Sequence, residues 1–300
     1  MNIGEKIKNL RTAKMMTQAE LAGTQITRNM LSLIEKDKAV PSLQTLLYLA
    51  DKLKVSAGYL LADDTESVFF RKAERIDEIR LAYRRKNYGI CLDLCHRLLN
   101  EAGEDDELNL LMAEASLEVA KEDFFADRLH DACEKLDDAM MYADRSAYRT
   151  EHLRVEAELY FSYLENLSPS FVAEHIEASD ALTDVCGYIP LQDSFCRYIM
   201  ALRALDDKDE KGVRLYLEQA KEKDISLTKH ILALSCMAKG EFELAATHLT
   251  DILRSEESVS GSFLYYVFGN LEVCCRKLDN QKNAKLYAEA RASQFERLLS

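Results

Sequence analysis

The chain has 300 residues, three Pro, ten Gly and a net charge of −13, which gives room for about two domains, each with a core of its own. An overall pI of about 5.1 excludes a uniformly basic nucleic-acid binder, so any nucleic-acid contact requires the positive charge to be segregated. Eight Cys without a secretory apolar segment, and no run of 18 apolar residues, exclude a disulfide-built secreted domain and a membrane span; they point to free thiols in the cytoplasm.

Taken in chain order, Asn2 with Glu5 forms a capping box that opens a first helix carrying Ile7, Leu10 and Arg11. Thr17 with Glu20 forms a second box, so the next helix starts at Gln18, and Ala22 is small where another helix must cross. Gly23 opens a turn. Thr27 caps a third helix whose Leu31 and Ile34 share one apolar face, which leaves Arg28, Asn29, Ser32 and Lys36 off that face. Pro41-Ser42 starts a fourth helix, and SAGYLL a short fifth. Charge is uneven along the chain: residues 1–62 hold nine Lys or Arg against five Asp or Glu, whereas the rest holds 30 against 47.

Residues 2–62 resemble the phage-repressor type of helix-turn-helix domain, in order and over five helices, although here Gly23 follows Ala22 directly and Ile26 comes about a residue early. The resemblance implies that the third helix enters the DNA major groove. Gln18 matches the family position that donates to a backbone phosphate, aided by the helix N-terminus. Thr27, Arg28, Asn29 and Ser32 lie in the first turns of the reading helix; Arg suits guanine and Asn adenine. Leu33, in a position often polar in relatives, is left between contact with a thymine methyl and simple packing. Lys36 and Lys38 follow the helix and are expected near phosphates. One such module contributes only about 600–1,000 Å² of interface, so a homodimer on an inverted-repeat operator is expected.

The link to the remainder is read at Ala62–Glu66, ADDTE, which places the domains at 1–64 and 65–300. From about Phe69 onward, helical periodicity broken by short polar turns predicts roughly a dozen helices, in pairs. The clearest pair is Ile231–Leu253, with a Lys-Gly-Glu-Phe turn and Ala245 three residues after the aromatic. This pair resembles the tetratricopeptide repeat; Tyr88 with Cys91, Val213, and Asn283-Ala284 repeat the pattern more loosely. Val213, Ala245 and Ala284 are 32 and 39 residues apart, around that family's period of about 34. The expected fold is all-α: a five-helix repressor-type helix-turn-helix domain followed by a tetratricopeptide-like helical-hairpin solenoid.

Such arrays line a groove with the first helix of each pair, suited to a peptide or partner helix. By register, Tyr198, Tyr266 and Asn270 are expected in the groove, with Asn109, Tyr160, Tyr163 and Asn166 as looser candidates, set against an ordinary packing role for each. The whole chain resembles the peptide-responsive transcription regulators of Gram-positive bacteria, which implies a short signalling peptide or partner protein in the groove. The competing reading is an interaction scaffold whose first domain does not read DNA.

An enzyme is not expected, because no phosphate-binding, metalloprotease or nucleophile-elbow spacing occurs. No metal or other cofactor is expected either. Cys91, Cys95 and His96 lack the second pair of ligands that zinc requires, so the cysteines are read as core. Cys274 and Cys275 are not expected both to point inward. His130, His152, His175, His230 and His248 are read as surface or half-buried positions.

Overall fold

The computed structural model describes residues 2–62, 64–171, 193–220 and 225–299. Among them are sixteen helices and no strand. Residues group into two units, 1–108 and 109–300.

In the first unit, α1 (Ile3–Ala13), α2 (Gln18–Ala22), α3 (Arg28–Glu35), α4 (Leu43–Leu53) and α5 (Ala57–Leu61) enclose a core of Ile7, Leu21, Leu31, Ile34, Leu49, Leu53 and Leu60, each buried to 1% exposure or less. Both expected capping boxes form: Asn2 Oδ1 accepts from the Glu5 amide at 2.9 Å, and Thr17 Oγ1 from the Glu20 amide at 3.2 Å. Thr27 and Ser42 cap α3 and α4 in the same way. Gly4 is needed where α1 crosses the end of α3, because a Cβ there would collide with the Ile34 carbonyl oxygen.

The expected polar link is largely helix: α6 (Asp64–Arg84) begins inside ADDTE. Phe70 of α6 packs against the helix-turn-helix core and lies over Gly58, where a Cβ would meet its ring. Lys6 is 1% exposed and donates to the carbonyls of Tyr59 (3.0 Å) and Ala62 (2.5 Å), so its charge satisfies the open end of α5. The α6–α7 hairpin (α7, Tyr88–Ala102) completes this unit.

The second unit contains most of α8 (Asp106–Phe125), then α9 (Leu129–Arg145), α10 (Glu151–Leu167), α11 (Ser194–Asp206), α12 (Glu210–Gln219), α13 (Ile225–Lys239), α14 (Phe242–Arg254), α15 (Gly261–Lys277) and α16 (Gln281–Leu299). Successive hairpins share one turn. Lys86, Asp127, Lys208, Gly240 and Asp279 all have positive φ, and each lies two residues before the second helix of its pair. The following residue's amide reaches five residues back in every case, as from Asn87 to Ala82, Arg128 to Asp123 and Glu241 to Cys236. This is the Schellman cap, which satisfies the last carbonyls of the first helix while reversing the chain. The small residues expected at the crossings, Cys91, Ala245 and Ala284, are buried; Val213 is half-buried.

Two expectations about packing fail here. Cys274 and Cys275 are both buried, at 0% and 6% exposure, because α15 is covered on two sides, by α14 and α16. His230 is fully buried rather than at the surface, wedged between Tyr198 Oη (2.6 Å from Nδ1) and Asn270 Nδ2 (2.8 Å from Nε2). Burial alone pushes its pKa down to about 3. His130 and His152 are exposed and His248 half-buried, as expected, while His175 lies outside the described residues.

Candidate nucleic-acid interface

α3 is held from behind by charge. Glu35, on the inner face with Leu31 and Ile34, receives Arg11 Nε at 2.6 Å and a second Arg11 nitrogen at 3.2 Å, a bidentate pair from α1. Gln18 Nε2 of α2 donates to the same carboxylate at 2.8 Å. Burial pushes the Glu35 carboxyl up, but the hydrogen bonds from Arg11 and Gln18 and the Arg11 charge more than offset this, so it titrates below its ordinary value. Three helices thus converge on one acid, and α3 cannot roll on its axis without breaking them.

The opposite face is open. Thr27, Arg28 and Asn29 are exposed and Ser32 is half-buried; Lys36 and Lys38 are exposed just beyond the helix. The Thr27 hydroxyl accepts from the Met30 amide at 3.1 Å, which fixes where the helix starts and so where Arg28 and Asn29 project. Gly23 (φ 54°, ψ −134°) makes the preceding turn in a conformation open in practice only to glycine. A Cβ at Gly23 would also strike the Tyr48 hydroxyl, which donates to the Ala22 carbonyl.

Gln18 is half-buried and spends one amide proton on Glu35, because the N-terminus of α2 packs beside the end of α3. The residue that sequence reasoning missed is Glu35. Its signal was an acid in register with Leu31 and Ile34, on a face otherwise apolar.

The groove set divides. Tyr160, Tyr163 and Tyr198 are 0%, 3% and 0% exposed, and Asn109 is 2% exposed with its amide directed at the Arg145 carbonyl. These four do not line an open groove. The first helices of the hairpins close on one another through aromatic packing: Phe124 of α8 meets Tyr160 and Tyr163 of α10 and Phe195 of α11 at centroid distances of 5.0–5.7 Å, and Tyr163 meets Tyr266 of α15 at 5.4 Å. Tyr266 and Asn270 are half-buried and Asn166 is exposed. Beside the aromatic cluster, Lys121 links Glu156 at 2.5 Å and Asp193 at 3.7 Å. Burial alone would lower the Lys121 pKa, yet these acids and Glu118 raise it. The grouping of Glu156, Asp193 and Cys196 is therefore already served by an ammonium. Cys91 and Cys95 are fully buried while His96 is exposed on another face of α7, so the three do not converge.

No helix among the described residues is long and apolar enough to cross a membrane. Three solved structures are similar over nearly the whole chain, at low scores: Bacillus thuringiensis PlcR in complex with the peptide PapR7 and DNA (14% identity, 100% of this chain and 99% of that one, TM-score 0.25), ComR from S. thermophilus in complex with DNA and its signalling peptide ComS (15%, 98% and 99%, TM-score 0.23), and the Streptococcus dysgalactiae SHP pheromone receptor Rgg2 (14%, 100% and 96%, TM-score 0.26). No curated protein sequence matches. The family model for the helix-turn-helix matches residues 7–60, a span that holds the Thr17–Glu20 capping box, the Arg11–Glu35 pair and the whole of α3. Residues 7–60 are thus a domain of the helix-turn-helix family.

Proposed function

We propose that this protein is a sequence-specific DNA-binding transcription regulator, acting in the cytoplasm as a homodimer on an inverted repeat, with residues 1–64 as the reading head and 65–300 as the array that dimerises and responds to a peptide. The observation that carries the reading is the outer face of α3, where Arg28 and Asn29 stand exposed on a helix whose position is fixed from behind by Glu35. Those two side chains specify bases; Lys36 and Lys38 set the position on the backbone, and Gln18 adds its remaining proton. The peptide contacts fall to Tyr266, Asn270 and Asn166, the groove residues that keep exposure. A peptide regulates only by binding one arrangement of the dimer better than another, and a hundredfold shift requires about 2.7 kcal/mol of differential affinity.

Selection of bound sequences from random duplex DNA tests this. An enriched inverted repeat is expected, and Arg28→Ala with Asn29→Ala should abolish the preference while leaving the far-UV helix signal intact. Affinity should fall with salt at a slope of roughly −0.9 per phosphate contacted. If no sequence is enriched and binding is indifferent to salt, the first domain is a protein-docking module and the scaffold reading replaces this one.

A further inference from the structure

Successive residues of an α-helix turn by about 100°, so the inward positions Leu31, Ile34 and Glu35 define which residues stand opposite. Asn29 and Leu33, four apart, form the outermost line of α3, flanked by Arg28 and Ser32 on one side and Met30 on the other. The side chains agree with the wheel: Leu33 is 43% exposed and Met30 46% exposed, whereas Leu31 and Ile34 are 0% and 1% exposed. Leu33 therefore does not pack in the core, which removes one of its two possible roles. A single exposed leucine on a protein surface is ordinary. This one stands on the outward line of α3, one turn beyond the exposed Asn29.

In the major groove the one apolar feature on a base edge is the thymine C5-methyl. We infer that Leu33 is a specificity-determining residue that reads a thymine by contact with that methyl. Asn29 and Leu33 are separated by about 6 Å along the helix and base pairs by about 3.4 Å, so this thymine lies within about two base pairs of the adenine read by Asn29. The inference rests on the DNA-reading function proposed above and adds to it the identity of one base in each half-site.

The test uses the full-length protein and the inverted repeat recovered by selection. Each thymine of a half-site is replaced in turn by deoxyuridine, which removes the methyl and leaves the hydrogen-bonding edge unchanged. For the wild type, one replacement should weaken binding about fourfold, the weight of one buried carbon at about 0.8 kcal/mol. Leu33→Ala should bind the thymine and deoxyuridine forms of that site equally, while Arg28→Ala should keep the difference. Because Leu33 is exposed, its truncation leaves the fold intact, which an unchanged thermal midpoint verifies. If no deoxyuridine position separates wild type from Leu33→Ala, the inference is overturned and the DNA-reading function stands. If no sequence is enriched in the selection, the DNA-reading function fails first and the inference falls with it.

Discussion

Glu35 shows how much one side chain can decide. Its carboxylate is 3% exposed and ties α3 to α1 and α2 through Arg11 and Gln18, so its loss strands a partly buried guanidinium. Glu35→Ala should cost about 3 kcal/mol, at the lower end for breaking a buried pair because Arg11 retains 12% exposure and the Met16 carbonyl. Urea unfolding of the variant and the wild type at pH 7 measures it. The same group sets an acid limb. Its folded pKa lies below its ordinary 4.5, so the unfolded chain takes up the proton more readily than the folded one. The stabilisation is complete above that ordinary value and is lost as pH falls through the lower folded one. Glu35→Gln should flatten that part of the stability curve; an acid limb of unchanged slope in the variant would contradict the assignment.

Among the helices, the recurrent device is the left-handed residue at the end of the first helix in the five hairpins whose two helices are both described. Four of these five residues, Lys86, Asp127, Lys208 and Asp279, are not glycine, and the same cap at Met15, Asp37 and Lys54 ends α1, α3 and α4. An L-residue with a Cβ pays about 1–2 kcal/mol for that conformation, whereas glycine pays mainly in unfolded-state entropy. Lys86→Gly and Lys208→Gly, both at exposed positions, should each stabilise the protein by about 0.5–1 kcal/mol. Gly240→Ala, where nothing crowds a new methyl, should destabilise by a similar amount. Thermal midpoints of the three variants check the opposite signs together. The device also explains why the pairs were only loosely visible in sequence: a search for turns through Gly finds Gly240 and passes over the other four, since nothing in a Lys-Asn or Asp-Arg dipeptide announces positive φ. Helix existence was legible from periodicity and caps because those depend on neighbours in sequence.

At the scale of the array, contacts between distant parts of the chain define the second unit. Asp127, in the turn after α8, accepts from the Gly261 amide at 2.6 Å, 134 residues away, and so caps α15 together with Ser260. Gly261 must be small, since a Cβ would run into both the Asp127 carboxylate and the Gln294 amide. Asp127→Ala should lose about 1 kcal/mol, the weight of a helix N-cap contact, and should speed hydrogen exchange at the first-turn amides of α15. If those amides keep their protection, the contact does not hold the helix. The Tyr163–Tyr266 contact at 5.4 Å belongs to the same closure between α10 and α15.

Sequence by itself determined the all-α class, the helix-turn-helix head, the starts of α1 to α4 and the residues Arg28, Asn29, Lys36 and Lys38 that face outward, because caps and the 3.6-residue period act within a few residues of each other. Tertiary structure alone decided which of the groove candidates are buried. Tyr160, Tyr163, Tyr198 and Asn109 have the right residue types for a groove and the right register on their helices. Yet whether such a face meets solvent or another helix depends on how hairpins a hundred residues apart close on each other, and no local pattern carries that information. The same holds for Glu35 and Gln18: one acid facing inward acquires its meaning only from an arginine 24 positions earlier and a glutamine 17 positions earlier, brought together by the fold.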